Sequence, residues 1–277
     1  MAPPASQAVD PTRAITLGHP SYVWRSGQER RLNLIRRFAP LEGRAVLDIG
    51  CGLGAYVRRF RDFSPYVYGM DVDAPRVKEG ARRGTPHLLV GAAEHLPFRV
   101  GAFDVVVLNE VIEHVNDDAA ALREAVRALR PGGTVIVYAP NRLYPFETHG
   151  IYLPAALSRR RTGSADGRTI GPRYVFGNIP LVNYLPDPLR RRLVPHARAY
   201  LARDIRRILQ GLDVDVVEHG YVYPGFDNVA TRSRIAAAVL RRVLYFLEHT
   251  PLRVFGLSHF VVLRRRASAN DGIRNAE

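Results

Sequence analysis

Residues 46–54 read VLDIGCGLG, an apolar run that meets glycines at positions 50, 52 and 54 and is followed by helical sequence from about Ala55 to Phe63. Glycine permits a tight turn and close backbone approach, and the amino end of a following helix presents unpaired N–H groups to a ligand. Strand, glycine turn and helix in that order predict a nucleotide-like cofactor lying over the strand ends. The spacing is GxGxG. Position 55 is Ala, with Tyr56 and Val57 behind it, which disfavours the GxGxxG pattern of a nicotinamide-dependent oxidoreductase.

Outward from this turn, short β-branched runs alternate with helical stretches. Strands are expected at 45–50, 66–71, 87–90, 103–108 and 133–140, with helices near 74–83 and 118–129 between them. Strands apolar on both sides and separated by helices imply an α/β fold with a mostly parallel sheet covered on both faces. Before the turn, Leu32, Leu34, Ile35 and Phe38 recur at helical spacing among arginines, so an amphipathic helix from Gln28 to Ala39 should lie against the same domain. After Pro140 the rhythm breaks for about 55 residues, too long for a plain connection, which suggests a functional insertion or cap. A helix near 200–210, a strand at 213–218, an amphipathic helix near 229–248 and a last strand at 258–264 follow. The expected organisation is a leader at 1–20, a cofactor-binding core at 21–141, an insertion at 142–197, the rest of the core at 198–266 and a tail at 267–277.

The motifs match those of a known family in order. VLDIGCGLG, YGMDVD, GAAEHLPF, FDVVVLNEVIEHV and ALRPGGTVIVYAPN together resemble the class I S-adenosylmethionine-dependent methyltransferases over residues 40–141. EVIEHV and APNR make the chain most similar to the ubiquinone-biosynthesis O-methyltransferase type. The resemblance implies a Rossmann-like, mostly parallel seven-stranded sheet with an inserted cap after the fifth strand, and S-adenosylmethionine as cofactor. It implies that Asp48, Gly50, Cys51, Gly52 and Gly54 hold the methionine part. Asp71, with Val72 beside it, should accept hydrogen bonds from the two ribose hydroxyls, a role that suits a carboxylate because both partners donate. The family commonly has Asp where Ala92 stands here, so adenine recognition falls to the backbone of Ala93 and Glu94. Glu94 can equally be an ordinary surface acid, and Asp71 a solvated turn residue.

Methyl transfer is an in-line attack on a carbon activated by the sulfonium, so alignment and shielding from water are the protein's main tasks. A base is needed when the nucleophile is a hydroxyl. Asn109, Glu110, Glu113 and His114 leave the fourth strand at its cofactor-facing end, Asn109 as a further cofactor-binding candidate, and if this stretch is helical, positions 110, 113 and 114 share a face. His114 is the expected base, with Glu110, Glu113 and His149 as further catalytic candidates. A divalent metal on the carboxylate–histidine trio is the lesser reading, against simple loop capping. Asn141, Arg142, Glu147 and His149 should border the acceptor pocket, with His196, Arg198 and Tyr200 ranked below them. Tyr22 and Trp24 read as a lid or as core, and Cys51 as a small packed residue.

Charge adds a second line. The 277 residues carry a net charge of +14, and 39 of the 40 basic residues are arginine, Lys78 being the exception. Residues 1–141 hold 18 basic and 15 acidic side chains, whereas residues 142–277 hold 22 and 11, including the clusters at 159–161 and 190–192. Preference for arginine over lysine reads as compositional bias, but bias predicts no such split. The expected partner is a small-molecule or lipid-linked acceptor of anionic character, or the surface of an anionic membrane, approached from the second half. The rival reading is a membrane-surface or nucleic-acid-binding protein with little catalysis, motivated by RSRIAAAVLRRVLYFLEH, apolar on one side. Nucleic acid is disfavoured because no separate binding module and no NPPY-like motif is present. A single cysteine, no signal-peptide layout and no apolar run near the ~20 residues of a membrane span point to a cytoplasmic setting.

Overall fold

A computed structural model describes residues 24–153, 173–175 and 177–267. The leader, Tyr22, Arg159–Arg161 and the tail from 268 onward lie outside the described residues. The chain divides into two compact units, one carried by described residues of 144–198 and the other by those of 24–143 and 199–267.

The larger unit holds one seven-stranded sheet. Its strands are β1 (Val46–Ile49), β2 (Val67–Asp71), β3 (Leu88–Val90), β4 (Phe103–Asn109), β5 (Leu129–Pro140), β10 (Val214–Val222) and β11 (Ser258–Arg265), ordered β10-β11-β5-β4-β1-β2-β3. All run parallel except β11, which pairs antiparallel with both β5 and β10. β1 is buried at all four positions because helices cover both faces, which is why its sequence is apolar without alternation. On one face α1 (Ser26–Phe38) and α2 (Ala55–Phe60) pack Leu32, Ile35, Tyr56, Val57 and Phe60 against Val105, Val107 and Tyr138. On the other, α4 (Asp118–Ala128) and α6 (Ala202–Ile208) place Ala121, Leu122, Ala125 and Ile205 against Leu47, Val106 and Val135. The sheet is thus the expected Rossmann-like, doubly covered one.

Local chemistry sets the helix starts. Asp73 opens α3 (Ala74–Arg82) by accepting from the Arg76 N–H, and Asp117 opens α4 from the Ala120 N–H, caps worth about 1 kcal/mol each. The amphipathic helix expected at 229–248 is two helices, α7 (Asp227–Ala230) and α8 (Arg234–Leu247), because Ser233 turns its hydroxyl to the Ala236 N–H and starts a new one. Trp24 donates to Glu29 and packs edge-on against Tyr56, 4.9 Å between centroids, so it belongs to the core rather than to a lid. No helix of the described residues is long and apolar enough to cross a membrane.

The smaller unit has two short ribbons, β6 (Phe146–Glu147) with β9 (Ile179–Pro180) and β7 (Ile151–Leu153) with β8 (Arg173–Val175), followed by α5 (Asp187–Leu193). Ile151, Val182, Val194 and Ala197 form its own core.

Candidate active site

The parallel strands β1, β2 and β4 end side by side where the connections reverse direction, the crevice in which open α/β sheets bind ligands. Gly50, Gly52 and Gly54 follow β1 with φ of +73°, +55° and +80°. A Cβ on Gly50 would stand 2.3 Å from Val111 Cγ2, so only glycine fits there. Gly52 faces open space instead, with no atom within 4 Å of such a Cβ, which leaves its backbone approachable. Cys51 is nearly buried, and burial pushes its thiol well above the ordinary range, the inert packed residue expected.

Two carboxylates flank this turn. Asp71, at the tip of β2, accepts from the Gly52 N–H through Oδ2 and from the Asp73 N–H through Oδ1, both at 2.8 Å. It is 8% exposed, and each oxygen keeps acceptor capacity for a further donor. Asp48 is buried and accepts no hydrogen bond among the described residues. Burial, with the neighbouring Asp71 charge, holds its carboxyl well above the usual carboxylate range. Beside the open glycine turn, its oxygens thus keep their acceptor capacity among the described residues. Val72 is exposed next to Asp71, and Ala93 is buried. Glu94 accepts from the Asn116 N–H at 2.8 Å and so tethers the loop that leaves β4.

That loop is not helical. Glu110 takes a left-handed conformation, φ +57°, and residues 112–114 form a turn, so positions 110, 113 and 114 do not share a helix face. Glu110 is engaged by Arg31 of α1 at 2.7 Å and by the Ser258 hydroxyl of β11 at 2.6 Å. Arg31 also donates to Asn109 and to Ser258, and its guanidinium lies over the Tyr138 ring at 4.6 Å. Glu113 is buried with Oε1 3.8 Å from His114 Nε2. Tyr200 fixes the turn from below, donating to the Ile112 carbonyl at 2.9 Å and lying 3.0 Å from Asp118 Oδ2. Behind it, His259 Nε2–H donates to the Tyr200 carbonyl and Nδ1 accepts from His219. Burial pushes His259 down to about 4, so it stays neutral in that tautomer.

Several expectations change. Asn141 donates to the Val254 and Gly256 carbonyls, both at 2.7 Å, and is 1% exposed, a latch rather than a pocket wall. Arg142 bonds Tyr200 through its backbone. In the smaller unit Glu147 lies between His149 Nδ1 at 3.0 Å and Arg190 at 2.7 Å, and Arg190 also donates to Asn183 and to the Ala197 carbonyl. Arg190 is therefore a buried structural cation, whereas Arg191, Arg192 and Arg198 remain exposed. His196 donates to the His149 carbonyl at 3.2 Å. Arg31 was missed by the sequence reading.

Burial raises the Glu147 carboxyl, but His149 and Arg190 more than reverse this and hold it at about 2. A depressed acid stabilises the folded state above its unfolded value and loses that contribution as pH falls through the folded one. We expect unfolding of the smaller unit to become easier by about 3 kcal/mol between roughly pH 4.5 and 2. Glu147→Gln should flatten that slope in acid titrations followed by tyrosine fluorescence.

The chain's similarities agree with this geometry. A methyltransferase-domain family model matches residues 47–137. A ubiquinone biosynthesis O-methyltransferase from Aromatoleum aromaticum is 32% identical over 192 residues, covering 56% of this chain and 81% of that protein. The chain belongs to the class I S-adenosylmethionine-dependent methyltransferases. Another ubiquinone biosynthesis O-methyltransferase, from Thiobacillus denitrificans, is 32% identical over 118 residues, 40% of this chain and 51% of that protein. The chain spans about half the length of several such curated relatives. An S-adenosylmethionine-dependent methyltransferase structure from Mesorhizobium loti, 20% identical, superposes with a TM-score of 0.53 over 84% of this chain and 96% of that one, which establishes the shared fold. S-adenosylmethionine is this family's cofactor, and the residues present fit it: Asp48 for its cationic end, Gly52 for close approach, and Asp71 with acceptor capacity for hydroxyls.

Proposed function

We propose that the protein transfers a methyl group from S-adenosylmethionine to an oxygen of a small-molecule or lipid-linked acceptor, as the names of its relatives suggest. The observation that carries this reading is the buried, unpartnered Asp48 beside the open Gly52 turn, with Asp71 at the next strand end. When bound, the cofactor supplies a methyl carbon made electrophilic by positive sulfur. Asp48 and the backbone of residues 50–54 seat its amino-acid end, and Asp71 orients its ribose. Adenine recognition rests on Val72, Ala93 and Glu94, with Ala92 unable to contribute a carboxylate. His114, on the Tyr200-anchored turn with the Glu113 carboxylate 3.8 Å away, takes the proton of the attacking hydroxyl. Glu110 and Asn109, braced by Arg31, shape the floor on which the acceptor oxygen aligns. Residues 142–197, with His149, belong to acceptor choice in this proposal, supported by the exposed arginines there. The same role for a divalent metal is not part of it.

Isothermal titration with S-adenosylmethionine and S-adenosylhomocysteine tests the cofactor half. Micromolar binding is expected, and no heat at millimolar ligand defeats the reading. Methyl transfer from labelled cofactor to phenolic and carboxylate acceptors then tests the oxygen. His114→Gln should lower kcat by roughly 10²–10⁴-fold while leaving cofactor affinity unchanged.

A further inference from the structure

Helix α8 packs by one side only. Ala237 is buried, and Arg241 donates to the Gly225 carbonyl, Ser26 and Asp227. At its end Tyr245 lies under the Arg30 guanidinium of α1, 3.8 Å from ring centre, and Glu248 pairs with the same arginine. The opposite side carries Ile235, Val239, Val243 and Phe246 at steps of four, four and three residues, 79%, 57%, 53% and 67% exposed. Leu252 and Phe255, in the short 3₁₀ helix that follows at Pro251–Phe255, continue the exposed apolar surface. A helix on a folded domain ordinarily turns such a face inward, and an outward one marks a binding surface.

The charges around this face have one sign. Residues 232–247 contain no Asp or Glu, and Arg232, Arg234 and Arg242 are exposed with no acidic partner among the described residues. Three occupants can be weighed. A second copy would bring the same unpaired cations against each other. A nucleic acid would answer the arginines but leave four bare aliphatic and aromatic side chains in water. A bilayer with anionic headgroups answers both, taking the side chains at the headgroup–acyl boundary and pairing the arginines above it.

We propose that α8, with the 3₁₀ helix after it, docks the protein on an anionic bilayer, lying in the interface without spanning it. The length and charge of α8 forbid a span. Because α8 braces α1 through Arg30, and the next residue, Arg31, holds Asn109 and Glu110, the docking helix is one helix removed from the candidate site. The proposal stands whether or not the acceptor is itself a lipid.

Co-sedimentation of the full chain with phosphatidylcholine vesicles, with and without about one-third phosphatidylglycerol, tests it. Pelleting is expected only with the anionic vesicles and should weaken as salt rises from about 0.05 to 0.5 M. Val239→Asp with Phe246→Asp should lower partitioning more than tenfold. Arg232→Ser, Arg234→Ser and Arg242→Ser together should lower it about 100-fold, at roughly fivefold for each basic side chain. Both sets occupy exposed positions, and unchanged circular dichroism confirms that they fold. Absence of pelleting, or pelleting that both variants leave intact, overturns the proposal. So does a dimer in analytical ultracentrifugation that the Val239→Asp, Phe246→Asp variant converts to a monomer, or binding of RNA but not vesicles through the same residues.

Discussion

Asp48→Asn is expected to make the ligand-free protein more resistant to heat while weakening its grip on S-adenosylmethionine. The Asp48 carboxyl is buried beside Asp71 and accepts no hydrogen bond among the described residues, so its ionised form is disfavoured by the fold. An acid whose folded pKa lies above its unfolded value stabilises below the unfolded value and loses that contribution as pH rises through the folded one. At any pH above the ordinary carboxylate range this acid is therefore a cost to folding, and the isosteric amide removes it. A gain of about 1–3 kcal/mol, or several degrees in Tm, is the expected size. The cationic end of the cofactor is what would make the carboxylate favourable, so affinity should drop by at least about tenfold. Thermal melts with and without ligand should show two curves crossing, the variant higher without ligand and lower at saturation. A variant less stable than the parent without ligand would show that Asp48 is well partnered inside the protein.

Arg31→Met should produce the largest loss. It strips the guanidinium from Asn109, Glu110 and Ser258 at once and leaves Glu110 in its left-handed conformation without its counter-charge. The pair is only partly buried, so removing its cation should cost about 1–3 kcal/mol. Urea unfolding measures that part. The functional part needs a different readout, because a destabilised protein can still be fully active when folded. In the Arg31→Met, Glu110→Gln double variant the unpaired charge is gone, so stability should largely return. Methyl transfer should stay at least 10²-fold down, since the floor beneath the acceptor is no longer held. Recovery of both stability and rate would limit Arg31 to a structural role.

The contrast between Asp48 and Arg31 shows what a sequence discloses. Asp48 sits in a local pattern, a buried strand running into glycines, and strands covered on both faces are apolar throughout, so the alternation from 45 to 140 was readable. Arg31 has no such signature. It is one of four arginines on α1, and its partners lie 78 and 79 residues away at Asn109 and Glu110. The available hint was helical phase, since Arg31 stands one turn before the buried Ile35 and thus on the inward side. The conditional helix in the loop after β4 fails for a similar reason. Its conformation is set by Glu110 reaching Arg31 and Ser258 and by Tyr200 bonding Ile112, contacts invisible to local spacing. Arg190 likewise belonged, on paper, to a solvent-facing basic cluster, and only the fold of the smaller unit shows that it neutralises Glu147.

The position of β11 bears on the order in which the protein matures. This strand lies between β5 and β10, so until residues 258–265 arrive the edge of β5 stays unpaired and β10 has nothing to join. Strands β1 to β5 can pair as they emerge from the ribosome, and the glycine turn can form with them. The bracket around Glu110 cannot, because one of its arms is Ser258, the first residue of β11. Growing chains would thus form the glycine turn early and complete the Arg31–Glu110–Ser258 cluster late, with an open β5 edge in between. That interval is when the chain is most exposed to pairing with the wrong strand.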